Sequence, residues 1–282
     1  MRCWNIRRLD LAECRRRNIR VTSAGSAFSE DGADYAVGLL MDVLRGVSAA
    51  DRYVRGGLWP VKGHYPLGNK RMGYLWEEGR LGKKITGQTG SADVKANLGL
   101  FVKLLVRGKR VGIVGLGNIS TLVAKRLEPF GCTIAYTSRN KKSQVPYAFY
   151  PTVLELATNS DSLIVCCALS DKTRHIINSD VLTALGKKGV IVNIGRGALV
   201  DEKELVRFLV GGELGGAGLD VFENEPEVPK ELFMLDSVVL SPHRAILTPE
   251  SFDRVRELVV ANISAFFSNK PLLSEINLYD YC

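Results

Sequence analysis

Arg196 in "NIGRG", Glu225 in "FENEP" and His243 in "SPH" lie 29 and 18 residues apart, and each follows an apolar run that reads as a strand. A guanidinium grips anions, an imidazole moves protons near neutrality, and a carboxylate beside an imidazole favours its charged form. In open α/β sheets, ligands bind at the carboxyl ends of the strands, where these three would stand. Taken singly, each has an ordinary reading as well. An arginine at a strand end makes surface ion pairs, Glu225 can be a turn residue before Pro226, and His243 a loop histidine satisfied by its neighbours. His64 in "KGHYPLG" reads as a structural loop residue and His175 in "DKTRHIIN" as a residue at a helix entrance. Neither is assigned to catalysis.

A second chemical signal precedes these residues. "RVGIVGLGNIS" (110–120) is an apolar strand that turns on Gly115 and Gly117. In the pattern G-x-G-x-x-G the first glycine permits the tight strand-to-helix turn, and the second lets the backbone approach a pyrophosphate at the helix N-terminus. Ser120 occupies the third position, where the added atoms are expected to cost about 1 kcal/mol of overpacking and to leave the site in place. The motif alone is also compatible with a strand-turn-helix that binds nothing. About 20 residues further on, an NAD site carries an acid at the end of the second strand. Here that strand runs into "YTSRNKK", with Ser138, Arg139, Asn140, Lys141 and Lys142 and no acid. An acid would repel a 2′-phosphate, whereas Arg139 can grip one in a bidentate manner, so NADP is expected over NAD. The other reading is a solvated basic loop.

These residues need a scaffold, and the chain after residue 108 supplies one. The apolar runs "RVGIVG", "TIAYTSR", "SLIVCCA", "GVIVNIG", "GGAGLDVF" and "SVVLSPH" alternate with helical stretches at "NISTLVAKRLEPFG", "TVLELATNS", "NSDVLTALG" and "DEKELVRFLVGG". Continuous apolar strands alternating with helices indicate an α/β fold, a doubly wound parallel sheet covered on both faces. Asn178 or Ser179 is the cap expected for the third of these helices. Upstream, Ala33, Ala36, Val37, Leu40, Leu44 and Val47 repeat at helical spacing and predict one helix from residue 30 to about 55, with Ser29 as N-cap. Its wide apolar face requires a large partner surface, and another subunit is one candidate. Residues 1–8 have no periodicity. The stretch 71–108 has no clear role, although 94–106 could form a short amphipathic helix.

Composition narrows the function classes. The 282 residues are 46% apolar, enough for one large or two moderate domains with real cores. No apolar run reaches the ~20 residues of a membrane helix, and the N-terminus lacks a signal-peptide pattern. The net charge of +8 concentrates at residues 1–20 (+5) and 71–110 (+6), so the remainder is acidic. A nucleic-acid-binding face would spread its charge over the folded part, and none is expected. The six cysteines form no C-x-x-C pair. They read as reduced thiols in a cytoplasmic protein without a metal site, and Cys166 and Cys167 are expected to face opposite ways on a strand.

At this point the chain resembles the D-isomer-specific 2-hydroxyacid dehydrogenases, especially the plant glyoxylate/hydroxypyruvate reductases. The resemblance is carried by "DGADYAVGLLMDVLR", "GKRVGIVGLGNI", "YTSR", "GVIVNIGRGALVDEKELV", "GGAGLDVFENEP" and "VVLSPH" and spans residues 9–70 and 108–275. It implies a Rossmann-type NAD(P)-binding domain over residues 22–247. The substrate-binding domain is implied at residues 1–21 and, returning through a C-terminal helix and tail, at 248–282. Arg196 would bind the substrate carboxylate and carbonyl oxygen, and His243 would protonate that oxygen. Glu225 would hold His243 and raise its pKa. Asp220 would hold the nicotinamide carboxamide. Gly115, Leu116, Gly117, Asn118, Ile119, Ser138, Arg139, Asn140 and Ile194 would serve the rest of the cofactor. A small 2-oxo or 2-hydroxy acid is the implied substrate and a homodimer the implied assembly.

Two features depart from the pattern. The family's substrate-binding segment before the long helix is represented only by "LDLAECRRRNIRVTSAG", so the loop whose backbone grips the substrate carboxylate is expected to be missing. The stretch 71–108 stands as an insertion. The expected activity is therefore NADPH-dependent reduction of glyoxylate or hydroxypyruvate. A catalytically weak NADP-binding remnant or interaction module is the alternative.

Overall fold

The computed structural model describes residues 9–63 and 106–278. Its centre is a seven-stranded sheet: β1 (Arg110–Val114), β2 (Thr133–Thr137), β3 (Ala148–Phe149), β4 (Ser162–Val165), β5 (Val190–Asn193), β6 (Gly216–Leu219) and β7 (Val238–Leu240). The order is β3-β2-β1-β4-β5-β6-β7 and every pairing is parallel. Among the described residues, four helices precede the sheet: α1 (Leu11–Arg16), α2 (Ser29–Arg45), α3 (Val47–Arg55) and α4 (Trp59–Lys62). Four are threaded between strands: α5 (Asn118–Leu127), α6 (Val153–Thr158), α7 (Ser179–Leu185) and α8 (Glu202–Val210). The last, α9 (Pro249–Phe267), follows the sheet.

Strand side chains alternate between two cores, as a period of two requires. Val111, Ile113, Ile164 and Val192 face α2 and α5, where Ala33, Ala36, Leu40, Val123 and Leu127 meet them. Val114, Leu163, Val165 and Ile191 face the other way, onto Leu156, Leu182, Leu205 and Phe208 of α6, α7 and α8. This is the doubly wound architecture expected from the continuous apolar runs. The order of strands reverses between β1 and β4, which places a ligand crevice beyond their carboxyl ends.

Several expectations need correction. The helix expected from residue 30 to about 55 is two helices, broken at Gly46, whose φ of 62° is left-handed. The apolar pattern runs through the break, but Asp42 turns back to accept the Ser48 N–H at 2.8 Å and starts α3 separately. Ser29 is the first residue of α2 rather than its cap, and Phe28 at the cap makes no side-chain bond. Val47, beyond the break, is 60% exposed. The apolar face of α2 is buried by the sheet and α5, so that face needs no second subunit. All six expected strands are present, and β3 is a seventh. Its two residues pair with β2 at the sheet edge and are too few to show a period. Asn178 is the cap of α7, accepting the Val181 N–H at 3.1 Å. The expectations for residues 1–8 and, but for Val106, for a helix over 94–106 lie outside the described residues.

The two ends of the described chain meet. Thr22 and Glu275 form an antiparallel bridge, and Arg20 reaches Glu275 through two hydrogen bonds of 2.8 and 2.6 Å. Helix α9 is fixed to the start of α2 by Thr248 and Arg254, both of which engage Asp31.

Candidate active site

The glycine turn leaves β1 at Gly115, whose φ of 90° suits only glycine and whose N–H donates to the Thr137 carbonyl at 2.9 Å. A Cβ there would stand 2.6 Å from Cys167. Leu116 is buried in the core on the α2 side, so its side chain does not line the site. Gly117 caps α5, and a Cβ on it would meet nothing within 4 Å. Ser120 does not overpack the turn. Its buried hydroxyl accepts the Gly117 N–H at 2.6 Å and so takes up one donor of the helix start. Because Gly115 is bonded to Thr137, the loop after β2 lies beside this turn. There Ser138 donates to the Asn140 carbonyl at 2.6 Å, and Arg139 is exposed.

Arg196 follows β5. The buried Asn193 shapes its turn by accepting the Gly195 N–H at 3.0 Å and donating to the Arg196 carbonyl at 3.0 Å. The guanidinium donates to the Gly195 carbonyl at 2.6 Å. The next residue, Gly197, presses on the loop after β6: a Cβ there would lie 1.9 Å from the Phe222 carbonyl carbon. That loop carries Glu225, one of whose oxygens accepts the Phe222 N–H at 3.1 Å. The other accepts from Nδ1 of His243 at 2.7 Å. A carboxylate can only accept, so Nδ1 carries the hydrogen and Nε2 is the nitrogen that can pass a proton to a substrate.

Asp220, at the end of β6, is 1% exposed. Its oxygens accept from the Ser241 hydroxyl at 2.6 Å, the Arg244 N–H at 2.9 Å and the Ala245 N–H at 2.9 Å. These bonds fix the bend on which His243 sits at φ 52°. Asp220 thus builds the histidine loop, a role that its position in the sequence did not reveal.

A cavity of about 290 Å³ unites these parts. Gly117, Asn118, Ile119, Ile194, Arg196, Asp220 and His243 line it, together with Gly25, Phe28, Ser29, Ser120, Cys166, Ala245 and Ile246. Gly115, Leu116, Ser138, Arg139, Asn140 and Glu225 do not line it. The contribution of residues 25–29 was not readable from the sequence, because none of their types announces chemistry. Cys166 and Cys167 lie just past the end of β4 rather than on the strand. Burial pushes the Cys167 thiol up to about 11 and Cys166 higher still, so neither is a thiolate near neutrality. Among the described residues no group of His, Cys, Asp and Glu is arranged to hold a metal, and no helix is long and apolar enough to cross a membrane. His175 lies in a turn rather than at a helix entrance, since α7 begins only after the Asn178 cap. His64 lies outside the described residues.

The residues present fit a nicotinamide dinucleotide. Gly117 offers open space where a side chain would block a pyrophosphate, and the first turn of α5 presents backbone N–H groups to the same cavity. The cavity continues without a break to Arg196, Asp220 and His243.

Comparison with known proteins agrees with this geometry. Residues 88–245 match the D-isomer specific 2-hydroxyacid dehydrogenase NAD binding domain. A glyoxylate/hydroxypyruvate reductase of Arabidopsis thaliana is 53% identical over 270 residues, which are 96% of this chain and 73% of that protein. A hydroxyphenylpyruvate reductase of Plectranthus scutellarioides is 45% identical, with 95% of this chain and 74% of that protein covered. The crystal structure of an NADPH-dependent glyoxylate/hydroxypyruvate reductase from Sinorhizobium meliloti, in complex with NADP and malonate, superposes with a TM-score of 0.77 at 35% identity. That superposition covers 97% of this chain and 75% of the other.

Proposed function

The chain belongs to the D-isomer-specific 2-hydroxyacid dehydrogenases, and within that family we propose that it is an NADPH-dependent reductase of glyoxylate and hydroxypyruvate. The observation that carries this reading is the convergence of the glycine turn, Arg196 and the Glu225–His243 pair on one cavity. The coenzyme, when bound, supplies a hydride. Arg196 grips the carboxylate and the carbonyl oxygen of the 2-oxo acid. His243 Nε2 gives its proton to that oxygen, and Glu225 holds the ring in place and favours its protonated form. Gly115 to Ile119 hold the pyrophosphate side, Leu116 through its backbone alone. Ser138 to Asn140 hold the ribose phosphate, and Ile194 and Asp220 the nicotinamide side. Steady-state oxidation of NADPH on addition of hydroxypyruvate or glyoxylate tests the reading, and no turnover with either acid would overturn it. A cofactor-binding protein without turnover is not favoured, because the three reacting groups remain assembled and the relatives are reductases.

Cofactor choice is read from Arg139. A charge-assisted bond to the 2′-phosphate favours NADPH over NADH by about 10- to 150-fold. Arg139→Asp is expected to reverse the order of the two dissociation constants in a fluorescence titration. Equal constants in the unmutated chain would contradict the assignment.

We place residues 22–247 in the dinucleotide domain, and 1–21 with 248–282 in the substrate domain. The joining of Arg20 and Glu275 supports that grouping. Exposed Val47, Val54, Trp59 and Val61 on α3 and α4 support a homodimer. Light scattering at micromolar concentration should give the mass of two chains, and a sharp single-chain mass would refute it. Free thiols at Cys14, Cys132, Cys166 and Cys167 support a cytoplasmic location.

A further inference from the structure

We propose that His175 is a positioning residue for the Glu225–His243 pair and acts through Glu223. His175 sits outside the cavity, at φ 50°, with its N–H donating to the Ala198 carbonyl at 2.8 Å. Its Nε2 is hydrogen-bonded to a Glu223 carboxylate oxygen, and its Nδ1 is 3.9 Å from Asp201. One residue therefore ties three segments together, through its backbone N–H and its ring: the turn after β4, the Arg196–Asp201 loop after β5, and the loop after β6 that carries Glu225.

The loop after β6 is held at its base by the buried Val221 and Phe222, and among the described residues Glu223, further out, has few polar restraints besides His175. The Glu223 N–H donates to Glu202 at 3.1 Å, and the Arg174 guanidinium is 3.9 Å from Glu223 and 60% exposed. Gly197 packs directly against the Phe222–Glu223 backbone. Asp201, Glu202, Glu223 and Glu225 crowd carboxylates into this region, where Arg174 and His175 face Glu223, His175 also faces Asp201, and His243 faces Glu225. Burial pushes the Glu202 carboxyl up, Glu223 and Glu225 push the same way, and the Glu223 N–H pulls against them. Without His175, Glu223 faces these acids with only the distant Arg174 to hold it. The segment Phe222–Glu225 then loses its outer anchor. Glu225 receives both its bonds through that segment's geometry, from the Phe222 N–H and from His243.

The test uses the three histidines of the chain, whose ring signals can be followed individually by NMR in histidine-labelled protein. His175→Asn is the informative variant, because asparagine tolerates the left-handed backbone but is too short to reach Glu223. His175→Gln keeps a donor long enough to reach it. If His175 positions the pair, the titration midpoint of His243 falls toward that of a free histidine in the asparagine variant and stays near the original in the glutamine variant. Simple removal of a neighbouring positive charge would raise the midpoint instead. Unchanged or raised midpoints in the asparagine variant overturn the proposal. The kinetic arm alone rests on the reductase reading: kcat should fall by about 10- to 100-fold in the asparagine variant with the NADPH dissociation constant unchanged. Absence of turnover in the unmutated chain would defeat that reading and leave the NMR result to decide this one.

Discussion

Replacing His243 with glutamine is expected to lower kcat for hydroxypyruvate by about 10²- to 10⁴-fold, the range for removal of a positioned general acid. The dissociation constant for NADPH should hold steady, because in the proposed assignment the dinucleotide would be held by the glycine turn and the start of α5, and the imidazole would act on the substrate. Glu225→Gln should give a smaller loss. The amide preserves shape, but it removes the charge that favours protonated His243 across a 2.7 Å contact. Stopped-flow reduction and a fluorescence titration on the same samples separate the two quantities. A His243→Gln chain with unimpaired kcat would mean that the proton comes from elsewhere.

Gly197→Ala is expected to damage fold and activity together. The new methyl would meet the Phe222 carbonyl carbon at 1.9 Å and the Glu223 nitrogen at 2.4 Å, and these backbone atoms cannot rotate away. The cost should be about 3 kcal/mol, at the top of the usual range for overpacking. That lowers Tm by roughly 6–12 °C in a chain of this size. The same collision separates Arg196 from the loop of Glu225, so turnover falls even where the protein stays folded. Gly117→Ala is the matched comparison. It has open space and an ordinary backbone conformation, so Tm without cofactor should hold while the affinity for NADPH drops. Differential scanning calorimetry of both variants, with and without NADPH, measures the contrast. Equal Tm values for the two would contradict the close approach of Gly197 and Phe222.

What could be read from the sequence was local in origin. Strands β1, β2, β4, β5, β6 and β7 are apolar runs bounded by turns, and each declares itself within a few residues. Gly115 and Gly117 mark a turn through their own backbone needs. Arg196, Glu225 and His243 could be assembled because each stands just past a strand, and parallel strands share one carboxyl end. What escaped depends on distance or on very short elements. β3 has two residues. The break at Gly46 lies inside an unbroken apolar pattern, where the left-handed glycine and the bonds of Ser48 to Asp42 separate the helices. The apolar stripe of α2 announced burial but not the surface that buries it. Ser120 read as a flaw in the motif, although its hydroxyl has a bond to make. Nothing local marks His175, because its partner Glu223 is 48 residues away and meets it only through the packing of two loops.

The most direct measurement follows the transferred atom. NADPH carrying deuterium at both positions of the nicotinamide C4 is mixed with hydroxypyruvate and the protein, and the glycerate formed is analysed for configuration and mass. A D-isomer-specific reductase with His243 as proton donor should give D-glycerate with one deuterium at C2, and the product should be strongly diminished with His243→Gln. Glycerate no more abundant than in a protein-free control, or glycerate without label, would contradict the assignment of this cavity to hydride transfer.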